Sequence, residues 1–138
     1  MYRGCNKLKI NGRRIYKGKV IGKAMITNQN ISFYGGIDPD SGIVTEKDHE
    51  LEGKSIAGRI LVFPTGKGST VGSYTLYRLK KNNKAPAAII NKKCDPIVAV
   101  GCIISEIPCI DQIETEKIPK DALLEVNGDD ASIDIKNP

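Results

Sequence analysis

The stretch GRILVFPTGKGST, residues 58–70, decides the reading of the fold. Gly58 to Pro64 (GRILVFP) reads as a continuous apolar strand, the kind buried on both faces. Two glycines follow in Thr65-Gly66-Lys67-Gly68-Ser69-Thr70, and glycine lets a backbone turn sharply and come close to another group. Past the loop, Val71, Tyr74, Leu76, Tyr77 and Leu79 recur near helical spacing and predict a helix. It ends in Lys80-Lys81-Asn82-Asn83-Lys84, bases and Asn that suit a helix C-terminus. Pro86 to Ile90 then opens another strand, and the interval of about 20 residues fits a βαβ crossover.

Working outward, Lys17 to Thr27 alternates Val20, Gly22, Ala24 and Ile26 with other residues, a period of two that reads as a strand. Ile31 to Phe33 and Ile43 to Thr45 read as short strands. Between them Gly35-Gly36 and Asp38-Pro39-Asp40-Ser41-Gly42 make a dense turn region. Ile97 to Ser105 fits a buried strand or a short helix, which periodicity alone cannot separate. Leu123 to Val126, the turn Asn127-Gly128-Asp129-Asp130 and Ser132 to Ile135 read as a hairpin, since Asn-Gly is a strong hairpin signal. No internal repeat or low-complexity segment is visible. The expected architecture is α/β or α+β and β-rich: one domain over residues 1–138 with one or two helices and a flexible segment over about residues 1–9.

The chain has 138 residues, 40% hydrophobic and 27% charged, which excludes disorder, collagen and coiled coil. The longest apolar run, Ile97 to Ile104, is far short of the ~18 residues a membrane helix needs. The N-terminal MYRGCNKLKING has no apolar core of a secretory signal, so the expected compartment is the cytoplasm, with thiols rather than disulfides. The net charge is +5. It is unevenly spread: residues 55–93 hold eight bases and no acid, residues 94–138 ten acids and three bases. A local positive field of this kind favours an anionic small molecule. It also matches a nucleic-acid footprint, but the chain lacks Trp and any aromatic RNA-binding motif.

The glycine loop fails as a phosphate-binding P-loop. Gly66-Lys67 is followed by Gly68 instead of Ser or Thr, and Leu61 stands where the first glycine belongs. The physics of an anion site remains: backbone N–H groups, a helix N-terminus and the mobile charge of Lys67. Ser69 stands at the start of the helix. Ser69 or Thr70 would be a natural N-cap, and Ser69 otherwise reads as a serine with a chemical role. The one histidine, His49, sits in an acidic stretch and reads as a surface residue, which disfavours a His-activated serine. Of the cysteines, Cys94, Cys102 and Cys109 read as small core residues and Cys5 as a terminal bystander; a cluster held by the first three is the weaker alternative.

The run GRILVFPTGKGSTVGSYTLYRL (58–79), followed by APAAII (85–90) and GCIISEIPCID (101–111), with SFYGGIDPDSG (32–42) upstream, resembles the small subunit of the aconitase X family, in its archaeal form. The likeness covers roughly residues 10–112 and is most specific in Ser32–Asp38 and Gly66–Ser69. It implies a swivelling β/β/α domain like the mobile domain of aconitases. It implies a catalytic serine, which falls on Ser69, and a separate large subunit that carries a [4Fe–4S] cluster, with no metal held by this chain. The implied reaction is loss of water from (R)-5-phosphomevalonate to give trans-anhydromevalonate 5-phosphate.

Under that resemblance Ser69 acts as an alkoxide base stabilised by the N–H groups of Gly68 and Thr70. Gly66, Lys67, Gly68, Thr70, Ser32, Gly35 and Gly36 are the expected substrate-binding residues. A binding face for the large subunit is expected around Phe33–Ile37. A relative acting on another hydroxy acid, such as hydroxyproline, a free-standing binding module for a phosphorylated metabolite or nucleic acid, and a self-contained iron–sulfur protein are the competing readings. No contact with a membrane is expected.

Overall fold

Residues 8–136 are described in this computed structural model. In chain order they form β1 (Leu8–Asn11), β2 (Arg13–Tyr16), β3 (Lys19–Ile26), the four-residue helical turn α1 (Phe33–Gly36), β4 (Ile60–Phe63), α2 (Gly72–Lys81), β5 (Ala88–Asn91), α3 (Pro96–Ser105), β6 (Cys109–Asp111), β7 (Leu123–Asn127) and β8 (Ser132–Ile135). The strands order as β1-β8-β7-β3-β4-β5-β6-β2.

All four side chains of β4 are buried, as a double-faced apolar strand requires. It pairs in parallel with β3 and with β5, and β5 pairs in parallel with β6. The β4–α2–β5 segment is the crossover expected from the sequence. β3 belongs to two pairings at once: Lys19–Lys23 run antiparallel to β7, and Ala24–Ile26 run parallel to β4. Beyond β7 lie β8 and β1, both antiparallel.

Period two sorts the side chains of β4 between two cores. Leu61 and Phe63 join Leu76 and Leu79 of α2 and Val98 and Cys102 of α3. Ile60 and Val62 join Leu124 and Val126 of β7 and Ile133 and Ile135 of β8. The parallel strands therefore lie between helices on one face and antiparallel strands on the other, a β/β/α arrangement. Each fully buried Leu or Ile contributes ~1.5–3 kcal/mol relative to exposure, so the two cores hold the three layers together.

Several sequence expectations change. Ile31 makes only an isolated bridge to Gly66, and Phe33 begins the turn α1, so 31–33 is no strand. Ile43 and Val44 make isolated bridges to Ser55 and Ile37. Each triplet holds only two apolar residues, and its partners are themselves in loops, so bridges form without a ladder. Ile97–Ser105 resolves as helix: Pro96 takes the first turn, and the Asp95 carboxylate caps it by accepting the Ile97 and Val98 N–H groups at 3.3 Å each. Residues 8 and 9, expected to be flexible, are paired with β8. Cys5 and the rest of the expected flexible segment lie outside the described residues. No helix among the described residues is long and apolar enough to cross a membrane.

Candidate active site

The glycine loop leaves the C-terminal end of β4 and is stitched to the chain around Ile31. The Ile31 N–H donates to the Thr65 carbonyl at 3.3 Å, and the Lys67 N–H donates to the Ile31 carbonyl at 3.0 Å. This brings the turn Ser32–Gly36 against Gly66–Ser69. Two glycines make the approach possible. A Cβ on Gly66 would lie 2.5 Å from Asp95 Oδ1 and 2.7 Å from Val98 Cγ2, so the loop rests directly on the head of α3. Gly68 has φ +94°, in the region L side chains avoid, and faces Ser32.

A hollow of about 390 Å³ opens between the two loops, lined by Ser32, Tyr34, Gly35, Gly36, Glu46, Lys67 and Gly68. Of the expected binding residues, Ser32, Gly35, Gly36, Lys67 and Gly68 meet there. Gly66 does not line it, because it packs on α3. Thr70 lies instead in a groove with Ser73, Tyr74, Pro96, Ile97 and Val100. Gly36 is buried, and its carbonyl already accepts the Thr45 and Glu46 N–H groups at 2.9 and 3.2 Å. The Ser32 hydroxyl donates to the Tyr34 carbonyl at 2.9 Å, which holds the turn in shape.

Ser69 is exposed and lies in the chain between Gly68, which lines the hollow, and Thr70, which lines the groove, while lining neither itself. Its Oγ accepts the Val71 N–H at 3.1 Å, and its carbonyl accepts the Gly72 N–H at 2.9 Å. The N-cap position of α2 is Val71, which makes no side-chain cap. Ser69 thus tightens the turn ahead of the helix. The amide on its oxygen is Val71, not the Gly68 or Thr70 amides expected from the sequence. Among the described residues, the N–H groups of Gly68, Ser69 and Thr70 have no protein acceptor. Free successive amides at a helix entry favour an anion.

Lys67 is not the free cation the sequence suggested: its Nζ donates to Glu46 Oε2 at 2.8 Å. Glu46 was missed because it sits in an acidic stretch far from the loop in sequence. A second hollow shares Tyr34 and Gly35 and continues along Asp38, Val71, Tyr74 and Arg78. The Ser41 hydroxyl and then the Asp40 N–H hold the Asp38 carboxyl below the usual aspartate range. Of the loop expected to meet a partner, Phe33 and Ile37 are buried in the core and Tyr34 is exposed.

His49 is 7% exposed, not a surface residue. Its Nδ1 accepts the Leu51 N–H, and its Nε2 lies 3.1 Å from the Asn30 carbonyl. Both ring nitrogens are used in holding loops together, so the imidazole has no atom left for chemistry at Ser69.

Cys102 and Cys109 are buried and Cys94 is half-buried, with its Sγ 4.0 Å from that of Cys109. Contact with Cys109 and then burial push the Cys94 thiol far up, and contact with Cys102 and burial do the same to Cys109. An iron–sulfur cluster is held by thiolates. No group of three or more His, Cys, Asp or Glu among the described residues is placed to hold a metal ion. These cysteines do not fit a cluster.

Residues 9–135 match the family model of the aconitase X swivel domain. The chain belongs to the aconitase X swivel domain family. It is 51% identical over 134 residues to the phosphomevalonate dehydratase small subunit of Methanosarcina acetivorans, covering 95% of this chain and 93% of that one. It is 48% identical over 128 residues to the phosphomevalonate dehydratase small subunit of Thermococcus kodakarensis, covering 93% and 96%. A chain of the crystal structure of Thermococcus kodakaraensis aconitase X in its holo form superposes with a TM-score of 0.92 at 48% identity, over 94% of this chain and 99% of that one. In this aconitase X swivel domain, the Ser32–Asp38 and Gly66–Ser69 segments that carried the resemblance are the two that the fold brings face to face.

Proposed function

We propose that this chain is the small subunit of a phosphomevalonate dehydratase, a hydro-lyase that removes water from (R)-5-phosphomevalonate to give trans-anhydromevalonate 5-phosphate, acting as one swivel domain in the cytoplasm. Support comes from relatives of that name at about half identity over nearly the whole chain. The observation that carries the reading is Ser69: an exposed hydroxyl at the head of α2, with an amide on its oxygen, beside three free N–H groups.

Dehydration of a β-hydroxy acid breaks the C–H bond next to the carboxylate and the C–O bond of the hydroxyl. Ser69 Oγ takes the proton, forming an O–H bond, while the C–H electron pair becomes the new double bond and hydroxide leaves. A serine hydroxyl in water is far too weak a base. The reading therefore needs Oγ as an alkoxide, stabilised by the Val71 N–H and by the N-terminus of α2, both of which act more strongly once the large subunit closes over the loop and water is excluded. The amides of Gly68, Ser69 and Thr70 hold an anionic group of the substrate. Lys67 joins them if its pairing with Glu46 loosens. Gly35 lets the substrate approach the backbone, while Gly66 and Gly36 build the framework. The [4Fe–4S] cluster is assigned to the large subunit, since the described cysteines do not form a set for it. That subunit receives the leaving hydroxide.

The test is reconstitution with the large subunit and assay of dehydration on phosphorylated and unphosphorylated hydroxy acids. Turnover of 5-phosphomevalonate by the pair and by neither chain alone is the expected result. Preference for hydroxyproline would move the chain to a sister activity.

A further inference from the structure

α3 has the sequence PIVAVGCIIS and carries no charge over its ten residues, yet only Val98, Gly101, Cys102 and Ser105 are buried. Val100, Ile103 and Ile104 are 49%, 49% and 44% exposed. Their i, i+3, i+4 spacing makes an outward stripe as apolar as the inner one, whereas a helix meant for solvent is polar on that side. α2 continues the stripe with Tyr74, 69% exposed, and Val71 ahead of it. A groove of about 370 Å³ lined by Thr70, Ser73, Tyr74, Pro96, Ile97 and Val100 joins the two helices. A contiguous apolar patch of this kind on a folded chain marks an interaction surface.

We infer that this α2–α3 face is where the large subunit docks, an inference that rests on the two-subunit reading above. The groove begins at Thr70, next to Ser69, so a chain that closes over Ser69 lies across the head of the face. That continuity with the site points to the subunit completing the active centre. Neither helix contains an acidic residue, and α2 ends in Arg78, which pairs with Asp40 of the neighbouring loop at 3.4 Å, and in Lys80 and Lys81. Lys81 Nζ lies 5.5 Å from the Tyr77 ring centroid, where cation and aromatic ring attract each other. The matching surface on the large subunit is therefore an apolar patch flanked by carboxylates.

The test titrates the cognate large subunit with the full chain in the absence of substrate. A variant carrying both Val100→Asp and Ile103→Asp changes only exposed side chains, and its fold is checked by circular dichroism. It is expected to raise the Kd about 100-fold, the size of effect typical when interface anchors are lost. Ile21→Asp, at an exposed apolar residue of β3, is expected to leave the Kd within about threefold, since it touches neither helix. Hydrogen exchange on the complex should show protection over residues 70–81 and 96–105. Wild-type binding by the double variant, protection confined to β1, β7 and β8, or a homodimer broken by the double variant while the hetero-complex survives, each overturns the inference. A pair that forms through this face but does not dehydrate phosphomevalonate overturns the substrate reading and supports the docking face.

Discussion

A Cβ placed on Gly68 would lie 2.5 Å from the hydroxyl oxygen of Ser32, so the two loops of the site touch at a position where only glycine fits. Gly68→Ala must also pay for φ +94°, roughly 1–2 kcal/mol for a residue with a Cβ. The expected outcome is a urea midpoint lowered by that amount or more, with a larger loss of turnover because the loop shifts away from Ser32. Adding Ser32→Gly should recover part of the loss, the steric part, and leave the φ part. Full recovery would mean that backbone strain contributes nothing.

Ser69→Ala in the reconstituted pair is expected to lower kcat by about 10²–10⁴-fold, the range for loss of a catalytic acid or base. Removing the acceptor of the Val71 N–H costs only about 1 kcal/mol of stability, so the variant folds and still binds the large subunit. Turnover near that of the wild type would remove the serine from the mechanism.

Lys67 and Glu46 are both partly exposed, and a surface pair of this kind is worth about 0–1 kcal/mol. Glu46→Gln should therefore hardly change the melting temperature. It frees the ammonium toward the hollow, and KM for the anionic substrate should fall. Lys67→Met should raise KM instead. Equal KM values in both variants would show that the ammonium does not meet substrate.

Acid sensitivity follows from Asp38, whose carboxyl is held below the usual aspartate range by the Ser41 hydroxyl and the Asp40 N–H. A carboxyl with a folded value below its unfolded one stabilises the fold above the ordinary value of ~4, and that contribution is lost as pH falls through the lowered value. Ser41→Ala removes the larger cause. The gap between the two proteins in urea unfolding should be full at neutral pH and narrow on acidification. A pH-independent remainder is expected because Ser41 Oγ also accepts the Ile43 N–H at 3.2 Å. Titration of the Asp38 carboxyl by carbon NMR should show it moving up in the variant.

The raised thiols predict chemical inertness. In a Cys5→Ser background, which leaves Cys94, Cys102 and Cys109, iodoacetamide at neutral pH should modify the folded chain far more slowly than the urea-unfolded chain, because the thiolate is the reactive form. Rapid alkylation of Cys94 in the folded protein would contradict its burial against Cys109.

The strand read over Gly58–Pro64, which forms over Ile60–Phe63, the helical spacing of Val71 to Leu79 and the Asn127-Gly128 turn were legible from the chain alone, because each is a local pattern of apolar period and turn chemistry. The family was legible in the same way, from the Ser32–Asp38 and Gly66–Ser69 segments. Ile97–Ser105 was ambiguous because α3 is apolar on both its inner and outer sides, which erases the periodicity that would have marked a helix. His49 looked exposed because its sequence neighbours are acidic. Only the folded chain shows its ring nitrogens meeting Asn30 and Leu51.

The sequence by itself determined the crossover, the glycine loop and the serine at its end, since propensity and turn geometry act between near neighbours along the chain. Tertiary structure alone decided that Lys67 pairs with Glu46 and that Gly68 touches Ser32. Those contacts join residues whose meeting depends on how β3, β4 and α2 stack, and no window of sequence contains that information.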